Sequence, residues 1–172
     1  MPCWAVALGI LDRNREPVGA MISAPRWGIG EEELFIRLDP GAPLLINGRT
    51  FTPYPDKDVP HQITMGSSGQ RYFDFSSYDG KIRIFGSAIL HLLALVIYPH
   101  MQGTIVQTCY AWDVAAAHSV MRSVSMDLEY IDGSPFVYDD RLLKERKSFK
   151  MALYGGSTAC ISALRRLIPP RP

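Results

Sequence analysis

The feature that most constrains how this chain folds is a change of hydrophobic rhythm at a stretch with three prolines, Thr52 to Pro60 (TPYPDKDVP). Before it, the pattern is that of an antiparallel, strand-rich layer. Cys3 to Leu11 is apolar without helical caps, Asp12-Arg13-Asn14-Arg15 makes a polar turn, and Pro17 to Ala24 reads as a second strand, so the two form a hairpin. Leu34 to Leu38 alternates around Phe35. Leu44-Leu45-Ile46 then runs into Asn47-Gly48, a dipeptide that accepts the positive φ of a tight hairpin turn. After the prolines, short strand candidates alternate with helix candidates. Strands are expected at Ile63 to Gly66, Lys81 to Phe85, Gly103 to Thr108, Met126 to Ile131 and Phe149 to Leu153. Helices are expected at Ala88 to Ile97, Asp113 to Ser123 and Ser157 to Ile168, the last stopped by Pro169-Pro170. Such alternation implies an α/β layer with a largely parallel or mixed sheet. The expected fold class is therefore α/β in the broad sense, an α+β layered sandwich, with residues 1–60 and 61–172 forming its two parts.

At 172 residues the chain can bury a proper core as one domain. Eighteen Lys and Arg against seventeen Asp and Glu leave a net charge of +1, with no basic stripe, which argues against nucleic acid as the main partner. The longest apolar run, Ala88 to Tyr98, is interrupted by His91 and is too short to span a bilayer. The N-terminus lacks the basic region that a secretory signal carries ahead of its apolar stretch. Cys3, Cys109 and Cys160 are scattered and form no CxxC, so reduced thiols and a cytoplasmic location are expected.

Trp112-Asp113, followed by Val114-Ala115-Ala116-Ala117, puts a carboxylate at the start of an alanine-rich helix. There it suits a helix cap, accepting free backbone N–H groups and meeting the positive end of the dipole. From this site alone the cap is the favoured reading; the other is a ligand for a hard cation such as Mg²⁺, which is bound by one or two carboxylates together with phosphate oxygens and waters. Asp127 and Glu129 are the nearest acidic residues downstream, on one face of the following strand, where solvated positions are expected. Gly86-Ser87-Ala88, between a strand and a helix, exposes backbone N–H groups suited to an anion or a sugar hydroxyl, while Ser87 also fits an N-cap. Gly155-Gly156-Ser157-Thr158 reads as a turn and cap. Gly66-Ser67-Ser68-Gly69 reads as a turn, since it lacks the lysine and spacing of a P-loop. His61, His91, His100 and His118 show no ligand spacing, and the two within helices are expected to be hydrogen-bonded core or boundary residues. Nothing near Cys109 in sequence lowers its pKa, and GxSxG, HExxH and GxGxxG are absent.

In order along the chain, these segments resemble the inositol monophosphatase family of Mg²⁺-dependent, lithium-sensitive phosphatases. Pro2-Cys3-Trp4-Ala5-Val6-Ala7-Leu8 resembles the family strand after its metal loop, and Pro17 to Pro25 resembles the partner strand "pv-G-v-i-y-a-P". Gly41-Ala42 with Asn47-Gly48 resembles "G-x-G-A-x-x-N-G", with Asp39 in place of the first glycine. Arg83 with Gly86-Ser87-Ala88-Ile89-Leu90 resembles "R-x-x-G-S-A-A-L". Trp112 to Ala116 matches "W-D-x-A-A", the most specific of these motifs, and Gly133, Pro135 and Phe136 match "G-x-P-F". The resemblance runs from near residue 2 to the final helix.

What the resemblance implies is specific. Asp113 corresponds to a metal-ligand aspartate, and Gly86, Ser87 and Ala88 to a loop that contacts the substrate's ring hydroxyls. The implied chemistry is hydrolysis of a sugar or inositol phosphate monoester by metal-activated water, with Mg²⁺ as cofactor. The departures are equally specific. The family's N-terminal glutamate and its Asp-Pro-Ile/Leu-Asp-Gly-Thr loop have no counterpart, so Met1 reads as a start inside a longer ancestral frame. Ser123-Val124-Ser125-Met126 stands where the family has "E-A-G-G", and Val106-Gln107 where it has a substrate-contacting glutamate. The connection from Asn47-Gly48 to Arg83 looks too short for the family's usual helix. The expectation is an incomplete phosphatase, with weak or absent Mg²⁺ binding and no activity as an isolated chain. The alternative is a non-catalytic remnant acting as a binding or interaction module, and an unrelated enzyme using Ser87 or Cys109 ranks well below both. Without the family's N-terminal helices the antiparallel sheet would expose an edge and an apolar face, so a homo-oligomer or an N-terminal partner polypeptide is expected.

Overall fold

The computed structural model describes residues 4–25, 27, 33–55 and 57–171. Pro2 and Cys3, part of the first expected strand, lie outside the described residues. Strands β1 (Val6–Leu11), β2 (Pro17–Pro25), β3 (Glu33–Leu38), β4 (Leu45–Ile46) and β5 (Arg49–Thr50) pair in sequence order as an antiparallel meander. The Asn47-Gly48 turn forms as expected, with φ of 49° and 76°. Asn47 also fastens it sideways: Oδ1 accepts the Phe35 N–H at 2.7 Å and Nδ2 donates to the Glu33 carbonyl at 3.0 Å.

A second, mixed sheet is built from β6 (Gln62–Met65), β7 (Lys81–Arg83), β8 (Gly103–Val106), β9 (Asp127–Tyr130) and β10 (Leu153–Gly156), in the order β7-β6-β8-β10-β9. β6 runs parallel to both β7 and β8, whereas β10 is antiparallel to β8 and β9. Helices α1 (Ala88–Ile97), α2 (Ala115–Arg122), α3 (Asp140–Leu143) and α4 (Thr158–Leu167) complete the fold. α2 packs on β1 and β2 and also touches β9, while α1 packs on α2, β6 and β8. These two helices form a layer between the sheets, and α4 covers the far face of the second sheet against β8 and β10. The fold is thus an α+β layered sandwich.

Small residues set the spacing of the layers. Ala7 of β1 and Ala5 just before it pack against the core, and a Cβ added to Gly9 would come within 2.8 Å of the Ala116 nitrogen. The alanines that open α2 and the glycine of β1 therefore let a helix backbone lie almost against a strand. One continuous core joins Ile22 and Ile36 of the first sheet to Leu92, Leu93, Ala117 and Val120 of the helices and Leu128 and Leu153 of the second sheet. A second cluster, containing Ile63, Ile105, Tyr154, Ile161 and Leu164, lies under α4. Among the described residues, no helix is long and apolar enough to cross a membrane.

The last strand differs from the expectation of Phe149 to Leu153: it spans Leu153–Gly156, so Gly155-Gly156 is strand rather than turn. A Cβ on Gly155 would meet Leu128 at 2.7 Å and Thr104 at 2.8 Å, so the glycine answers a packing demand from both neighbouring strands. Helix α2 is also shorter than expected, since residues 111–113 form a separate 3₁₀ turn before it.

The outer face of the meander is apolar and open. Val6 and Leu8 are 65% and 59% exposed, and Trp4, Ile10, Met21 and Phe35 share this exposure. Among the described residues, β1 has no neighbour on its outer side in the sheet order.

Candidate functional site

Parallel pairing brings three loops to one edge. β6, β7 and β8 share a direction, so the segments that leave their C-terminal ends emerge together, the place where open α/β sheets bind ligands. These segments are Gly66-Ser67-Ser68, Ile84 to Ser87, and Gln107 to Asp113.

After β7, Gly86 takes a φ of +75°, and nothing lies within 4 Å of where a Cβ would be, so this turn leaves its backbone open. Ser87 is the N-cap of α1, its side chain accepting the Leu90 N–H at 3.5 Å, and Ala88 is the first helical residue. The loop is pinned from behind by His91, whose Nε2 accepts the Phe85 N–H at 2.9 Å. Burial pushes the His91 imidazole down to about 4, which keeps it neutral and able to accept.

After β8, Asp113 ends the 3₁₀ turn Ala111–Asp113, and its Oδ2 accepts the Tyr110 N–H at 2.9 Å. The carboxylate therefore closes a turn ahead of the helix. The N-cap of α2 itself is Val114, which makes no side-chain capping bond. Exposed Tyr110 and Trp112 stack at 4.5 Å beside it. The loops after β6 and β8 are tied together where the Ser68 hydroxyl donates to Gln107 Oε1 at 2.9 Å.

Asp113 offers one half-buried carboxylate with one oxygen already engaged. Among the described residues, no three His, Cys, Asp or Glu gather as a metal cluster. Glu31, Glu32 and Asp56 lie outside the described residues. The described donors do not by themselves fit a Mg²⁺ centre, which needs several oxygen ligands in near-octahedral array.

The other candidates are occupied with structural work. Asp127 receives His118 Nε2 at 2.6 Å and faces Arg122, and Glu129 pairs with Arg165. Burial opposes the ionised form of Asp127, but the bonds from His118 and the Leu128 N–H outweigh it and hold the carboxyl below the usual range. His118 Nδ1 lies 3.1 Å from the Tyr138 hydroxyl, so both ring nitrogens are satisfied in the core. Ser157 caps α4 by accepting the Cys160 N–H and donates to Asp58. Burial, reinforced by Asp113, pushes the Cys109 thiol up to about 12, away from nucleophilic use.

Sequence reasoning did not single out Lys57. Its buried ammonium donates to the carbonyls of Tyr98, Pro99 and Met101 at 2.6, 2.9 and 2.7 Å, closing the C-terminal end of α1. A lysine within a proline-rich loop gives no sign of burial. The His118–Asp127 pair was closer to legible, because a histidine on the apolar side of a helix needs a polar partner.

No protein-family model matches this sequence, and no curated protein matches it. Solved structures do. The chain is similar to the extragenic suppressor protein SuhB from Bartonella henselae, with 19% identity and a TM-score of 0.68 over 96% of this chain and 64% of that one. It is also similar to a calcium-bound IMPase family protein from Staphylococcus aureus, with 14% identity and a TM-score of 0.71 over 95% of this chain and 60% of that one. A third match is staphylococcal SaIMPase-II with inositol monophosphate bound, with 12% identity and a TM-score of 0.68 over 94% of this chain and 60% of that one. The chain thus has the fold of inositol monophosphatase family structures and spans less than two thirds of the length of these neighbours.

Proposed function

We propose that this chain carries the substrate-side part of a Mg²⁺-dependent phosphate monoester hydrolase acting on a sugar or inositol phosphate. The observation that carries the proposal is the convergence of the loops after β6, β7 and β8 at one sheet edge, within a fold shared with structures that include one holding inositol monophosphate. In this reading the open backbone at Gly86 and the start of α1 at Ser87 and Ala88 receive ring hydroxyls or an anionic oxygen. His91 holds that loop in place, and Asp113 offers one carboxylate to the metal. The remaining ligands come from outside the described residues, supplied by a separate polypeptide. No hydrolytic step is assigned to the described residues alone.

The test is titration calorimetry of the purified chain with Mg²⁺, alongside phosphate release from inositol 1-phosphate. The isolated chain is expected to show no saturable Mg²⁺ binding below about 1 mM, since one carboxylate does not offset the dehydration of the ion. Tight binding that disappears in Asp113→Asn would overturn the incomplete-site part of the reading. For the hydrolase part, the tagged chain is recovered from its own cells and assayed with its co-purifying polypeptides. Mg²⁺-dependent phosphate release that Asp113→Asn abolishes is expected, and its absence in every fraction would leave the second reading.

That second reading is a non-catalytic interaction module. The apolar outer face of the meander favours it, because a contiguous patch of this kind marks an interaction surface on an ordinary globular protein.

A further inference from the structure

We infer that the outer face of the meander binds a second copy of this chain, the two sheets stacking face to face about a twofold axis. The inference rests on the interaction reading of that face and names its partner. The hydrolase reading is independent of it, because the loops that carry Gly86 and Asp113 belong to the second sheet. Strand alternation puts Val6, Leu8 and Ile10 of β1 on one face, and their partners continue it. Val6 stands opposite Ser23, which in turn pairs with Phe35 of β3, while Leu8 stands opposite Met21 and Ile10 opposite Gly19. Ala20, Ile22 and Ala24, the alternate positions of β2, are buried against the core. No residue of β1 or β2 is charged. The Ser23 hydroxyl donates to Glu33, and Arg37 at the margin pairs with Asp39 at 2.7 Å. The middle of the face is therefore apolar and the charges beside it are neutralised within the chain, which is how the core and rim of a protein interface are arranged.

Size, charge and shape select a second copy as the occupant. Trp4, Val6, Leu8, Ile10, Met21 and Phe35 are between 38% and 65% exposed. For side chains of these sizes that is about 600 Å² of apolar surface, and a symmetric pair would bury about 1,200 Å², the area at which stable specific interfaces begin. An uncharged face asks no complementary charge of its partner, so it can serve as its own complement. A net charge of +1 brings little repulsion between two copies. Sheets stack face to face when their twists match, with strands within about 30° of each other, and two identical meanders share one twist. A twofold contact uses the same patch on both copies, so assembly closes at two. Pairing through the β1 edge alone would leave the apolar face in water.

The experiment is sedimentation equilibrium of the purified full chain over a wide concentration range, without Mg²⁺ or substrate. A monomer–dimer equilibrium with a Kd of about 1–100 μM is expected, since an interface of this size held by apolar contact lies at the weak end of specific association. Added NaCl should not weaken it, because no charge pair crosses the contact. Leu8→Lys and Met21→Lys should each weaken the dimer by about tenfold or more. Both positions are exposed in the single chain, so the urea unfolding midpoint should stay unchanged. Val137→Lys, the same kind of change at an exposed position outside the meander, should leave the dimer unchanged. Met21 separates the face from the edge, because it lies in β2 and takes no part in pairing by the free side of β1. The inference is overturned if the chain stays monomeric, if association runs past the dimer, if the dimer survives both lysines, or if Leu8→Lys alone weakens it. Recovery of the tagged chain from its own cells then separates the readings. A monomeric chain that carries a different polypeptide in equal amount, released by Leu8→Lys, removes the second copy and keeps the interaction reading. A monomeric chain that carries none removes both, and neither result bears on phosphate release.

Discussion

His91 joins the core of α1 to the loop before it through one bond, from the Phe85 N–H to Nε2. That bond requires a neutral ring, and burial moves its titration from 6.5 to about 4. As pH falls, the unfolded chain takes up the proton first, so the stability tied to neutral His91 is complete above about 6.5 and is lost between about 6.5 and 4. The full loss is about 3 kcal/mol. Urea unfolding at pH 7 and pH 4.5 should show His91→Gln, whose amide oxygen can still accept, losing less stability over this window than the natural chain. Equal losses would sink the assignment. Residue types made some of this readable in advance. A histidine in an apolar helix pointed to a bonded core residue, and Ser87 and Ser157 pointed to caps, which the structure bears out. The partners were not readable, because His118, Asp127 and Tyr138 meet from three different elements.

At the scale of elements, α1 spans Ala88–Ile97 as its sequence indicates, whereas β10 lies further along the chain than expected. The difference has one cause. Helical periodicity is a local pattern, while Gly155 sits in a strand because Leu128, Thr104 and Met121 crowd it from other elements. Gly155→Ala should therefore destabilise the chain by about 1–3 kcal/mol through overpacking, read as a lower urea midpoint with an unchanged slope. An unchanged midpoint would show that the neighbours yield freely. Ser157→Ala removes the cap of α4 and the bond to Asp58, and should cost about 1 kcal/mol, lowering the melting temperature by roughly 2–4 °C.

For the molecule as a whole, the open outer face of the meander is the most consequential feature. Val6, Leu8, Met21 and Phe35 lie exposed on it, and among the described residues β1 offers an unpaired edge beside them. Such a surface favours association in water. Light scattering should show concentration-dependent self-association or a co-purifying partner, reduced by Val6→Lys with Leu8→Lys. A monodisperse monomer over a wide concentration range would count against this.

The sequence by itself determined the antiparallel beginning, the break at the prolines and most of the elements beyond it, because turn chemistry and hydrophobic period act between residues close in the chain. It also indicated the fold, through short motifs in a fixed order. Only the tertiary structure decided that β9 and β10 run antiparallel to their neighbours, and that Asp113 closes a 3₁₀ turn instead of capping α2. It alone placed Lys57 on three carbonyls and left the Gln107 side-chain nitrogen buried with no hydrogen-bond partner among the described residues. Each of these depends on groups far apart in sequence arriving within hydrogen-bond distance, and no local pattern encodes that distance.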